Sequence, residues 1–370
     1  MIFHMTSKKP VLLVGNGVRA AGAAEMVYEI IRKTHIPVLT TMNAVDLVQD
    51  QYRIGFIGTY GNRVANMILN ECDLLISIGA RLGLRQIGHL PQKFAPKAKL
   101  IRVDVDQYEL GRQIKPDEEK YNLDTKLFFE MLLSEEIPSY ENWYNACHKA
   151  KTLLDDYDDE EGNRCIKAIA QILSENAMVA VDVGQNQCWA AQSMQLKGTK
   201  GRVMIAGGYG SMGCGLPMAI GASIFGVQQK TVCITGDGGL QMNIQELETI
   251  RRESLPIKIL VLNNRVLGKI SEIQHAAYSD RYAQTTATSG YTVPDFEKVA
   301  IAYGIKAATI SNYSEVKNYE SWISDDEPCL INILLSEDTL LIPKIMWETC
   351  TIKPNMDDDM QKRVIEILQA

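Results

Sequence analysis

Short apolar runs alternate with stretches of helical periodicity along almost the whole chain. In the N-terminal part, residues 11–14, 37–41, 73–78 and 99–105 read as strands, and residues 18–33 and 62–70 as helices. Beyond residue 163 the alternation resumes. Strands are expected over 178–183, 202–206, 231–234, 257–262 and 329–335, with helices over 216–225, 244–252 and 294–303. Strands that alternate with helices and carry continuous apolar runs belong to parallel sheets covered on both faces. The fold class is therefore α/β, with two doubly wound parallel-sheet domains.

Between the two blocks lies LLDDYDDEEGN, too acidic to enter a core. This divides the chain into a Rossmann-like domain (1–135), an acidic linker (136–162), a second α/β domain (163–345) and a C-terminal tail (346–370).

Composition narrows the function classes. A net charge of −7 disfavours a nucleic-acid partner. No apolar run approaches the ~20 residues of a membrane span, and the N-terminus carries no signal-peptide core. Eight cysteines are scattered without a C-x-x-C pair, as expected of reduced thiols in a cytoplasmic protein. Five histidines show no zinc-ligand spacing.

Two motifs carry chemistry. Gly236-Asp237-Gly238 ends one strand, and Asn263-Asn264 ends another after an intervening stretch of residues 239–262. Both strand ends would stand at one edge of the sheet, where open α/β folds bind ligands. A carboxylate, an amide and nearby carbonyls are hard oxygen donors suited to Mg2+, whose shell phosphate oxygens usually complete. Near the N-terminus, Gly15-Asn16-Gly17-Val18-Arg19-Ala20 fits the dinucleotide-binding turn. The ribose-binding acid such a site needs is missing, since Thr40-Thr41-Met42 stands in its place, which argues against an NAD dehydrogenase.

The paired motif resembles the signature of thiamin diphosphate-dependent enzymes. DVGQNQCWAAQ (from Asp182), GGYGSMGCGLPMAIGA (from Gly207) and GARLGLRQIG (from Gly79) resemble segments of acetolactate synthases in the same order. The resemblance spans roughly residues 10–340, the family's middle and diphosphate-binding domains. It implies that Asp237, the Asn264 side chain and the Val266 carbonyl hold Mg2+. It further implies that Gly236, Gly238 and Gly239, with Gln185 and Asn186, contact the diphosphate. Met212 would wedge beneath the cofactor to bend it into a V, and the Gly210 carbonyl would accept from its exocyclic amine. Trp189 is expected to be core.

In the first domain the resemblance offers FAD as a structural cofactor, at Gly15, Gly17, Thr41, Met42, Gly58 to Gly61, Arg81 and Arg85. Arginine forks suit a pyrophosphate. Here, however, Gly83-Leu84 stands where the family has Asp-Asp, and GTYG replaces its Gly-Met-His-Gly. The alternative is a domain that only packs.

The family's pyrimidine domain, with its activating glutamate, has no counterpart in this sequence, so no catalytic acid/base is expected in the chain. A pyrimidine-domain subunit of about 170–190 residues, or a missing N-terminal domain, would supply it. The implied reaction is decarboxylation of a 2-oxo acid followed by carboligation, in a homo-oligomer inactive as an isolated chain. Lys269 and Ile273 stand where acetolactate synthases carry Met and Trp. Two-carbon transfer to a keto-sugar in surface polysaccharide synthesis is the runner-up, and a non-catalytic cofactor-binding subunit the third reading.

Overall fold

The computed structural model describes residues 7–226, 229–345 and 356–370. The chain forms two compact units, Met1–Asp158 with Ile342–Ala370, and Asp159–Leu341.

The first unit is built on a six-stranded parallel sheet. Its strands are β1 (Pro10–Val14), β2 (Val38–Thr40), β3 (Arg53–Phe56), β4 (Leu74–Ile78), β5 (Lys99–Asp104) and β6 (Glu119–Asn122). The order is β3-β2-β1-β4-β5-β6, the arrangement of dinucleotide-binding folds. Every residue of β1 and β4 is buried, as central parallel strands require.

The second unit repeats the principle with β7 (Met178–Val181), β8 (Arg202–Ile205), β9 (Thr231–Gly236), β10 (Ile257–Asn263), β11 (Lys306–Ile310) and β12 (Cys329–Leu334), in the order β11-β12-β10-β9-β7-β8. From β7 the chain steps outward to β8 and then returns to β7's other side as β9. The crevice where open sheets take ligands thus lies above the carboxyl ends of β7 and β9.

The corresponding crevice in the first sheet, between β1 and β4, is closed by the chain itself. Gly15 N donates to Ile78 O (2.9 Å) and Gly17 N to Gly79 O (3.0 Å). A Cβ on Gly15 would fall 2.1 Å from Gly79 O. These glycines are needed for that backbone approach.

Several elements differ from the sequence reading. The helix expected over 18–33 is two, Asn16–Ala20 and Ala24–Thr34, broken at Gly22 (φ +66°). The helix expected over 244–252 is a 3-10 turn, Ile244–Glu246, and a helix, Leu247–Arg252. The strands β3, β6 and β11 are not among those the apolar runs predict; all three are edge strands, and β6 alternates half-buried and exposed.

The stretch expected as an acidic linker is mostly the helix Glu141–Tyr157. Glu141 and Asp155 face solvent, while Trp143, Cys147, Ala150 and Leu154 recur at helical spacing and are buried. Part of the tail lies outside the described residues. Its helix Asp358–Gln369 buries Val364 and Leu368 in the first unit's core.

His148, on the long helix, lies 4.2 Å from the Tyr144 ring, and its Nε2 is buried without a hydrogen-bond partner. Burial pushes its pKa down to about 4, Lys151 adds to the shift and Asp50 opposes it. A depressed folded-state pKa gives stability that is present above the unfolded value and lost as pH falls through the folded one. The first unit's thermal midpoint should therefore fall between about pH 6.5 and pH 4. His148→Phe should flatten that slope in scanning calorimetry.

Candidate functional site

Pairing of β9 with β10 sets Leu262 opposite Gly236, so the residues that follow emerge side by side. Asp237 opens the short helix Asp237–Met242 and is 3% exposed. Its Oδ1 accepts from Gly238 N (2.6 Å) and from the Tyr291 hydroxyl (3.0 Å). Its Oδ2 accepts from Arg265 N (2.6 Å), the residue after Asn264. Arg265 adopts φ +56°, the left-handed conformation that turns the chain back over the sheet edge.

Burial raises the Asp237 pKa to about 6 against the opposing pull of the Tyr291, Gly238, Arg265 and Val266 hydrogen bonds. No cationic side chain among the described residues forms an ion pair with it. A desolvated carboxylate held by a hydroxyl and backbone amides, with no positive partner among the described residues, is suited to a bound cation.

Asn264 is buried beside it. Its amide donates to Gln185 Oε1 (3.0 Å), and its Oδ1 accepts a long bond from Val266 N (3.4 Å). The Val266 carbonyl accepts from Gly268 N (2.8 Å) and keeps a second lone pair. Gln185 begins the helix Gln185–Ser193, not a loop, and donates to Glu272 Oε1 (2.6 Å) and Thr339 O (3.2 Å). Asn186 turns back to its own strand end and donates to Asp182 O (2.8 Å).

Met212 stands over the glycines of the first motif. A Cβ on Gly238 would meet Leu267 Cδ2 at 2.6 Å, the Tyr291 oxygen at 3.0 Å and Met212 Cε at 3.3 Å. Met212 remains 41% exposed, so its far side faces open space, and Gly210 makes the preceding turn at φ +66°. Trp189 is core, its ring flat against Gly162 and its indole nitrogen donating to Leu340 O (3.3 Å).

The structure thus brings together Asp237, Asn264, Val266, Gln185, Gly238 and Met212, with Gly236 and Gly239 beneath them. The residues expected to hold FAD are not gathered in the same way. The Gly15 and Gly17 amides are taken by main-chain partners, and Thr41 is buried with its amide on Val14 O. Arg81 and Arg85 face solvent, Arg81 pairing with Glu109 (2.9 Å).

Two participants gave little sequence signal. Tyr291 lies in an irregular segment, 54 positions from the aspartate it holds. Asp182 follows an apolar strand, a position at which an aspartate reads as an ordinary strand end. If Tyr291 orients Asp237, Tyr291→Phe should weaken Mg2+-dependent ligand binding about tenfold, as loss of an outer-shell partner does. A Mg2+ titration at fixed ligand concentration would measure it.

Among the described residues no cluster of three or more His, Cys, Asp or Glu side chains suits a metal, so a cation here would rely on amide and carbonyl oxygens. Seven described cysteines are free, and no described helix is long and apolar enough to cross a membrane.

Two family models match the chain. The family model described as "Thiamine pyrophosphate enzyme, central domain" matches residues 5–132. The one described as "Thiamine pyrophosphate enzyme, C-terminal TPP binding domain" matches residues 182–333. A probable acetolactate synthase large subunit of Methanocaldococcus jannaschii is 34% identical over 89% of this chain and 58% of its own length. The acetolactate synthase large subunit of Lactococcus lactis is 31% identical over 92% of this chain and 60% of its own. The isozyme 2 large subunit of Escherichia coli is 32% identical over 90% and 60%. The chain spans about three-fifths of the length of these relatives.

Proposed function

Since this chain belongs to the thiamine pyrophosphate enzymes, with their central and C-terminal domains, we propose that its second unit binds thiamin diphosphate through Mg2+. The observation that carries the reading is the buried Asp237 carboxylate, without a cationic partner among the described residues and touching the loop of Asn264.

Asp237, Asn264 and the Val266 carbonyl would hold the cation, and the Gly236–Gly239 backbone would face the diphosphate. Gln185 orients the Asn264 amide, and Met212 would contact the cofactor's ring end. Thiamin diphosphate, when bound, supplies the carbon nucleophile and electron sink that 2-oxo acid decarboxylation requires. The names of the relatives support an acetolactate synthase-like reaction, in which a 2-oxo acid loses CO2 and the fragment is ligated to a second carbonyl.

The expected acid/base is a glutamate on a pyrimidine domain, supplied by a further segment or subunit. This chain's part is to bind, orient and keep water from the diphosphate end. A flavin in the first unit rests on the resemblance alone, because the amides of its glycine turn are already used.

Calorimetric titration with thiamin diphosphate should give micromolar binding with Mg2+ and none with a chelator. Pyruvate turnover should then appear only when a separately expressed pyrimidine domain is added. Cofactor binding indifferent to Mg2+ would sink the reading.

A further inference from the structure

The helix Gly215–Phe225 follows directly from the Met212 loop and makes no N-terminal cap of its own. Its cap residue is Cys214, whose side chain leaves the helix's first amides unserved. Asp182, at the end of β7 and fully buried, supplies what is missing. Its Oδ1 accepts from Gly215 N (3.2 Å) and the Cys214 thiol (3.3 Å), and its Oδ2 accepts from Gly213 N (3.0 Å). A carboxylate from another element thereby satisfies orphan amides that a helix ordinarily meets with its own Ser, Thr, Asp or Asn.

The same carboxylate reaches the opposite wall of the site. Thr235, just before the Gly-Asp-Gly turn, donates its hydroxyl to Oδ2 (3.2 Å). A Cβ on Gly239 would lie 1.9 Å from that oxygen, so the helix that opens at Asp237 presses directly on Asp182. Asn243, just past that helix, donates to Gly213 O (2.7 Å) and adds a second tie.

We infer that Asp182 is a positioning residue, which sets the spacing between the Met212 loop and the diphosphate turn and so the bend imposed on the bound cofactor. It touches neither the proposed metal ligands nor Met212. It acts by holding the Gly213 and Gly215 amides on one side and Thr235 and Gly239 on the other. The inference rests on the thiamin diphosphate reading and yields a selectivity which that reading alone does not require. The diphosphate end should bind normally without Asp182, while the ring end should not.

The test compares two probes on the full chain with Mg2+ present: inorganic pyrophosphate, which needs only the diphosphate turn, and thiamin diphosphate, which needs the Met212 loop as well. In Asp182→Asn the amide nitrogen opposes backbone N–H donors. Its thiamin diphosphate Kd should rise about 20-fold, within the range for outer-shell changes, with the pyrophosphate Kd changed less than about threefold. Hydrogen exchange at the Gly213 and Gly215 amides should accelerate at least about tenfold, one decade being 1.4 kcal/mol of lost protection.

Should Asp182→Asn fail to fold, Thr235→Val removes one donor from Oδ2 and should show the same selective loss at about three- to fivefold. Equal weakening of both probes, or unchanged affinity and exchange, overturns the inference. If the wild-type chain binds neither probe, the functional reading falls. Exchange at the two amides then still decides whether Asp182 holds the loop.

Discussion

Asp237→Ala should weaken Mg2+-dependent binding of thiamin diphosphate by about 100-fold or more, equivalent to at least ~2.7 kcal/mol. The substitution removes the one carboxylate in the proposed ligand set and leaves an amide and a carbonyl, which carry no net charge. It also removes an acceptor of the Tyr291 hydroxyl and the nearer acceptor of the Arg265 amide, which keeps Asn263 Oδ1 (3.2 Å). Calorimetry of the variant at saturating Mg2+ checks this, and wild-type affinity would remove the aspartate from the site.

Asp237→Asn separates function from stability. The folded-state pKa is raised, so the stability this group contributes is complete below about pH 4 and is lost as pH rises through about 6. At pH 8 without Mg2+ the native protein carries a buried charge that asparagine lacks. The asparagine variant should therefore melt higher than the wild type in chelator and bind the cofactor far more weakly.

The second large effect lies at the other end of the sheet. Lys258, in the middle of the second unit, has a fully buried side chain whose ammonium donates to Asp325 Oδ1 (2.5 Å) and to the Glu327 carbonyl. Asp325 Oδ2 also accepts from Lys306 (2.5 Å), which lies over the Trp322 ring (4.9 Å). Burial works against ionisation of Asp325, yet the Lys258 and Lys306 hydrogen bonds hold its carboxyl well below the usual range.

Asp325→Ala would leave Lys258 desolvated with only a carbonyl for company. Breaking one side of a buried pair costs about 3–5 kcal/mol, and the partial exposure of Asp325 puts this case near about 2–3 kcal/mol. Lys258→Met removes the charge with its need for a partner and should cost less than about 1 kcal/mol. Urea unfolding of the two variants tests the asymmetry, and equal losses would contradict it. Asp325's contribution is present above about pH 4 and fades as acid protonates it, so Asp325→Ala should also reduce the protein's acid sensitivity.

The two sheets are both six-stranded and parallel but differ in strand order and in use, a contrast that only the structure reveals. G-x-G-x-x-A after β1 looks like a phosphate cradle in sequence, but Gly79 fills it from the neighbouring strand. Gly-Asp-Gly at the end of β9, which the sequence already marks as a candidate cation site, opens beside a buried carboxylate that no cationic side chain among the described residues balances. Local sequence specifies the turn and its glycines. It does not specify whether another strand's loop or a ligand occupies the space above them.

The chain's alternation of apolar runs and helical stretches determined two parallel α/β sheets. The lengths of β9, β10 and the connection between them determined that Asp237 and Asn264 meet at one edge, since both follow directly from strand ends. Tertiary structure alone decided the rest. It laid Gln185 on Asn264, brought Tyr291 to Asp237 and made Asp182 the cap of a helix that begins 33 positions later. Each of these contacts joins residues whose separation is set by strand order and not by periodicity. A pattern of period two or 3.6 reports which face a side chain takes, but not which distant segment will face it.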